Sequence, residues 1–397
     1  MKIRRSIALH ATVALIVTAS LTEAQVPPRP QPATQPGESL PGLDARDAAL
    51  FAAGLEEFSN VETPETGLGP LFNNVSCAAC HLSPAVGGSS AVFVTRYGRT
   101  QNGVFDPLAS QGGTLLHQFS TDPQLRESVP ADANVVARRM TTPLFGAGLI
   151  EAIPDGAIAA AEARRKPDGV RGRVSRITDI ASGMPRAGRF GWKGQHATLL
   201  AFAADAYQNE MGITNRFFPV ENAPNGNRAL LERFVAPAGP EDQVDPATGK
   251  GDIDVAADFM RLLAPPPRAA LTASAVAGET LFAASGCAEC HQPQYLTARN
   301  DVVALDRRPV NLYSDLLLHD MGSLGDGIVQ AGAGAHEMRT APLWGLRLRR
   351  LYLHDGRAGT IDAAIRAHDG EASVARSRYT RLPAAQQQQI SDFLGSL

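Results

Sequence analysis

Apolar positions along this chain recur mostly at three- and four-residue intervals, the spacing that puts side chains on one face of a helix. The pattern predicts helices over 44–58, 157–165, 196–208, 275–284, 361–367 and 384–397. Alternating runs that would read as strands are sparse and short. The stretch 222–250 is rich in Pro, Gly and Asn and reads as a long surface connection. Pro-rich APPP at 264–267 closes one helical run and precedes the next, so the expected boundary divides 44–265 from 266–397. The expected fold class is mainly α, with long loops.

The N-terminus follows a different pattern. Basic residues from Lys2 to Arg5 precede a mostly apolar run, 7–21, and a small-residue site at Thr22-Glu23-Ala24. This reads as a secretory signal over 1–24, and the run is shorter than the roughly 20 residues a bilayer span needs. The polar, Pro-rich segment that follows reads as a flexible leader over 25–43. The expected location is therefore periplasmic or secreted, with no stable membrane span. Charge adds little, since 37 basic and 40 acidic residues leave a net of −3 and no basic stripe that would mark a nucleic-acid partner.

Four cysteines in an exported protein would ordinarily suggest two disulfides. Each pair here is instead C-x-x-C followed at once by His: Cys77, Cys80 and His81, then Cys287, Cys290 and His291. That spacing attaches a c-type haem through two thioether bonds and sets the adjacent histidine beneath the iron. The surroundings of the two motifs also match. Leu-Phe begins six residues before each first cysteine, and TPLFG at 142–146 answers APLWG at 341–345. The chain therefore reads as two cytochrome c-like haem domains related by an internal repeat.

The sixth position on each iron decides whether it only carries electrons or also binds small oxidants. The second half offers His354 and His368 at Asp-Gly sites, where the first half has Pro154 and Pro167, and proline cannot ligate. The expectation is a six-coordinate second haem and a first haem that is open or held by a more distant group.

With these motifs the chain resembles the bacterial diheme cytochrome c peroxidase superfamily, and within it the diheme oxidoreductase family sometimes labelled thiol oxidoreductase. The stretches that carry the resemblance are GLGPLFNNVSCAACH at 67–81, LFGAGLIEAIP at 144–154, GRFGWK at 188–193, EMGIT at 210–214, DLLLHDMG at 315–322, RTAPLWG at 339–345 and LHDGR at 353–357. The resemblance implies that His368 is the distal ligand of the electron-donating second haem, where the peroxidases usually place Met. It implies that the first haem meets peroxide, with a carboxylate assisting as acid and base. Glu151, an acid in an apolar run, is the candidate for that role, the alternative being a helix cap or an ion pair with Arg138 or Arg139. His117 is the candidate for a removable ligand of the first iron, with Met140 as a rival.

His319 and His354 are candidates for the edge of the second haem, and Trp192, Trp344 and Phe145 for an aromatic path between the haems. Arg139, Arg339 and Lys193 suit haem propionates. If all four cysteines are thioethers, none remains as a redox thiol. The leading expectation is a peroxidase-like enzyme fed by a small electron-donor protein or a quinone-linked donor, with peroxide or another small oxidant as substrate. A non-catalytic electron-transfer cytochrome and a haem-dependent oxidant of an organic or protein substrate are the alternatives. No loop shows a calcium-ligand spacing.

Overall fold

The computed structural model describes residues 34–235 and 240–397. The expected signal, 1–24, and the first part of the leader, 25–33, lie outside the described residues. The end of the leader is pinned rather than flexible. Leu40 is buried, its N–H donates to the Leu262 carbonyl at 2.7 Å, and the Ala264 N–H donates to the Glu38 carbonyl at 2.9 Å. One buried apolar side chain and two backbone bonds offset the ordering entropy there.

Helices form at Ala45–Ser59, Asp155–Ala163, Leu199–Ala206, Ala273–Ala284, Ile361–Ala367 and Ala384–Leu394, near the predicted spans. Several start at a residue whose side-chain oxygen takes a free backbone N–H: Asp44, Thr198, Thr272 and Thr360 each accept from the residue three positions on. The run before residue 264 is the helix Asp252–Leu262, and an unpredicted helix, Ser373–Arg381, carries arginines and buries only Tyr379. Two helix pairs cross closely at a glycine. A Cβ at Gly54 would lie 2.8 Å from the Phe259 Cβ, and one at Gly278 would lie 1.9 Å from the Gln389 carbonyl oxygen. Alanine at either position would force the helices apart.

The mainly α expectation needs correcting: with 34% helix and 15% strand the chain is mixed. The central strand Phe93–Gln101 pairs antiparallel with Val104–Asp106, with Leu115–Leu116 and with Val135–Met140. The first pairing turns at Asn102-Gly103, both with positive φ (52° and 77°), as a tight hairpin requires. The central strand was not legible because its burial does not alternate: Tyr97 and Gly98 are both buried within an otherwise half-covered run. A shorter pair, Leu318–Asp320 with Glu337–Arg339, sets His319 opposite Met338.

The larger hydrophobic cluster combines residues from Leu40 to Ala264 with Tyr295, Val310, Leu312 and Leu317, so it spans the expected boundary at 265/266. A smaller cluster, including Phe282, Tyr379, Ile390 and Phe393, packs behind the second Cys-His motif.

Candidate functional site

The two C-x-x-C-H segments each open onto a cavity. In the first, Ser76 caps the single helical turn Cys77–Cys80 by accepting the Ala79 N–H at 3.1 Å, which sets both sulfurs one turn apart. His81 follows, with Nδ1 3.0 Å from the Gly88 carbonyl. A carbonyl only accepts, so Nδ1 carries the proton and the Nε2 lone pair is free for a metal. His291 repeats this arrangement, its Nδ1 3.0 Å from the Tyr313 carbonyl. Burial pushes both imidazoles down to about 4, keeping them neutral. All four cysteines are unpaired and line the two cavities.

The second cavity, about 190 Å³, is lined by Cys287, Cys290, His291 and His368 among mostly apolar side chains. His368 ends the helix Ile361–Ala367 and faces His291 across it. Its Nδ1 lies 2.8 Å from the Ala364 carbonyl, so its Nε2 is also free. The two ring centroids are 6.4 Å apart, with planes at 60°. A metal ion about 2 Å from an imidazole nitrogen on each side separates the ring centroids by roughly 6 Å, so this pair fits a bis-histidine iron. The lining also suits haem carboxylates. Arg349 reaches the cavity with Nε and Nη2 lacking any acceptor, and Arg339 bonds only backbone carbonyls. Burial pushes both guanidiniums down to about 10, which leaves them charged at neutral pH.

His319 lines this cavity but has no free lone pair. Its Nε2 lies 3.0 Å from Asp315 and its Nδ1 2.7 Å from Glu371, so both nitrogens donate to carboxylates and the ring is an imidazolium. Burial opposes that charge, yet the two carboxylates hold the ring well above its ordinary range. Asp315, despite burial, is held at about 2 by His319 and by Lys166 at 2.6 Å. His354 is buried at the wall of the same cavity, its ring 6.2 Å from that of Trp192.

The first cavity, about 160 Å³, differs. His81 is its one lining imidazole among the described residues, and the thioethers of Met140, Met211 and Met260 reach its wall. Two carboxylates stand there, Asp205 and Glu210; Asp205 is committed to His196 at 3.3 Å and to the Asn209 amide at 3.0 Å, which leaves Glu210 as the candidate acid. The helix Leu199–Ala206 runs into a π-helical turn, Tyr207–Met211, whose extra residue per turn brings Tyr207, Glu210 and Met211 to the cavity together. Glu210 accepts from the Asn73 amide at 2.8 Å through one oxygen. Burial raises its carboxyl above the usual range, against the pull of Arg96. The Arg96 guanidinium lines the same wall, with Nε lacking an acceptor.

Two expected residues are placed elsewhere. Glu151 does not line the cavity: one carboxylate oxygen takes the Leu199 N–H at 2.7 Å and the other the Arg261 guanidinium at 2.7 Å. Its role is to tie helices together, and the partner is Arg261 rather than Arg138 or Arg139. His117 is buried with Nδ1 2.8 Å from Glu127 and Nε2 3.3 Å from the Asn222 amide, so it offers no ligand to the first cavity. Arg139 and Lys193 are also committed, both to the buried Asp326, at 2.7 and 2.9 Å. Among the aromatic candidates Trp192 alone lines both cavities; Phe145 and Trp344 pack in the core. The Trp192 Nε1–H donates to the Met140 carbonyl at 2.9 Å, and the Met140 N–H donates to the His354 carbonyl at 2.6 Å.

A family model described as "Di-haem oxidoreductase, putative peroxidase" matches residues 119–397. The chain belongs to this di-haem oxidoreductase family. The match contains the second C-x-x-C-H motif, and the first lies before it. No curated protein matches the chain. Among solved structures, the chain is distantly similar to hydrazine synthase from Kuenenia stuttgartiensis, at 15% identity and a TM-score of 0.43, covering 97% of this chain and 100% of that one. It is similar to the diheme peroxidase BthA from Burkholderia thailandensis, at 15% identity and a TM-score of 0.41, covering 88% and 86%. A MauG-like protein associated with microbial copper homeostasis is similar at 18% identity and a TM-score of 0.32, covering 64% and 89%. Among the described residues no helix of this di-haem oxidoreductase is long and apolar enough to cross a membrane.

Proposed function

We propose that the protein is an exported, periplasmic or secreted diheme c-type redox enzyme of the peroxidase kind. In this reading Cys77 and Cys80 hold one haem and Cys287 and Cys290 the other, with His81 and His291 as proximal ligands. The haems would supply electron storage and, in the first cavity, an iron able to break the oxygen–oxygen bond of peroxide. The single observation that carries the reading is the asymmetry of the cavities: His368 faces His291, whereas the wall of the first cavity holds His81, the carboxylates of Asp205 and Glu210, and no second imidazole among the described residues.

The residues then divide the work. His368 closes the second site to small oxidants. Glu210, with one oxygen held by Asn73 and its proton affinity raised by burial, delivers a proton to peroxide and recovers it from water. Arg96 favours developing negative charge beside it. Trp192, on the wall of both cavities, carries electrons from the second to the first. A small electron-donor protein or a quinone-linked donor supplies the second site.

The test is the absorption and electron paramagnetic resonance spectrum of the haem-loaded protein, oxidised and half-reduced, with and without cyanide and peroxide. One low-spin bis-histidine iron beside one cyanide-accessible iron that consumes peroxide is expected. Two low-spin irons that ignore both ligands after half-reduction would leave an electron carrier in its place.

A further inference from the structure

Peroxide takes up two electrons and two protons to become two waters, and the wall of the first cavity holds a side chain able to lend one of those electrons. The chain has six tyrosines. Tyr97, Tyr295 and Tyr352 donate their hydroxyls to the backbone carbonyls of Gln111, Asp315 and Arg349, which cannot take a proton. Tyr313 and Tyr379 donate to the carboxylates of Glu279 and Asp362 but line neither cavity. Tyr207 alone does both. It is 2% exposed, lines the first cavity, and donates its hydroxyl to Glu57 Oε1.

A phenol that loses an electron becomes strongly acidic, so oxidation is accessible only where a base within hydrogen-bond reach takes the proton. Glu57 is such a base. It sits in the last turn of the helix Ala45–Ser59, half-buried, with its second oxygen free of any side-chain partner, and burial together with Asp252, Glu62 and Asp242 raises its proton affinity. A carboxylate so placed receives a proton from inside and stands at the edge of solvent outside.

We propose that Tyr207 is a one-electron redox site of this protein, its hydroxyl proton passing to Glu57 when the electron leaves. The step rests on the peroxidase reading, with peroxide as oxidant. Tyr207 gives up one electron, its O–H bond breaks, the proton joins Glu57 Oε1, and a neutral phenoxyl radical and a carboxylic acid remain. The other electron comes from the donor side through Trp192, and the two protons that complete the waters enter from solvent by way of Glu210. An electron and the Glu57 proton later restore Tyr207. The site thus stores one oxidising equivalent away from the donor side, at the foot of a surface helix, where a reducing organic substrate can discharge it.

The experiment is rapid-freeze electron paramagnetic resonance of the haem-loaded protein after peroxide, with peroxide consumption followed in the same sample and ring-deuterated tyrosine to identify the signal. The expected result is a tyrosyl signal that narrows on deuteration, disappears in Tyr207→Phe, persists in Tyr352→Phe, and falls at least about tenfold in Glu57→Gln. Peroxide consumption with no tyrosyl signal, or with one unchanged in Tyr207→Phe, overturns the proposal. Absence of consumption is a failure of the peroxidase reading. The proposal is then decided by light-driven oxidation with a ruthenium photosensitiser and persulfate, where the signal must again be lost in Tyr207→Phe and kept in Tyr352→Phe. Circular dichroism of each variant confirms that the fold is intact.

Discussion

The two cavities begin alike and end differently. Each has paired cysteines, a histidine whose Nδ1 is tied to a carbonyl, and arginine donors without acceptors. Opposite its histidine the second cavity presents His368, whereas the wall of the first carries Tyr207, Glu210 and Met211 from a π-helical turn. On the proposed reading one attachment motif serves both roles, and the residues that share its cavity from distant sequence decide between storing electrons and spending them.

The change expected to disturb this contrast most is His368→Ala. It should turn the second site into an open one, converting its low-spin signal to high-spin and admitting cyanide, as absorption and paramagnetic resonance spectra would register. A low-spin signal that survived would mean that another residue ligates the iron. Next is Glu210→Gln, which should lower peroxide turnover by about 10²–10⁴-fold while leaving the second site's spectrum unchanged. Wild-type turnover in that variant would remove Glu210 from the chemistry.

Asp326→Ala should act on stability. It leaves Arg139 and Lys193 buried without their shared carboxylate, at a cost of about 3–5 kcal/mol read as a fall in the unfolding midpoint. Because Lys193 adjoins Trp192, the same variant should slow transfer between the two sites.

Acid titration gives a smaller effect. Asp315 and Glu371, despite burial, are both held at about 2, chiefly by His319. A depressed carboxylate stabilises the fold above its unfolded value near 4, and that stability is lost as pH falls through about 2. Glu371→Gln should therefore flatten the acid limb of the melting temperature between about pH 4 and pH 2.

The smallest effect on chemistry is expected from His117→Ala and Glu151→Gln, which should cost about 1–3 kcal/mol of stability through unpaired buried partners and leave the haem spectra unchanged. A spectral change in His117→Ala would restore it as a ligand.

How far the site could be read from sequence follows from the range of each interaction. Cys77 and Cys80 are a local geometry, and so are Cys287 and Cys290, so spacing alone locates them. The prolines at 154 and 167 left His354 and His368 both open as ligands, and the resemblance singled out His368, which the structure sets 6.4 Å from His291. Glu151 misled because its partners are Leu199 and Arg261, 48 and 110 positions away, and nothing local announces them. The place of Glu210 on the cavity wall was hidden by the π-helical turn, which rotates side chains away from the ordinary helical period. The EMGIT stretch at 210–214 was the available signal. The strand Phe93–Gln101 was missed for a similar reason: its pattern is set by Val135–Met140 and Leu115–Leu116 pairing against it, not by its own alternation.

The cysteine surroundings bear on the order of events in biogenesis. Burial pushes the Cys287 thiol up to about 12 and raises Cys77 and Cys80 as well, so in the closed protein these sulfurs are protonated and poorly nucleophilic. On the proposed reading, thioether formation at such sulfurs would belong to a chain that has not yet closed. The cavity walls would then be laid down around a macrocycle already in place, and maturation would run from cofactor to fold.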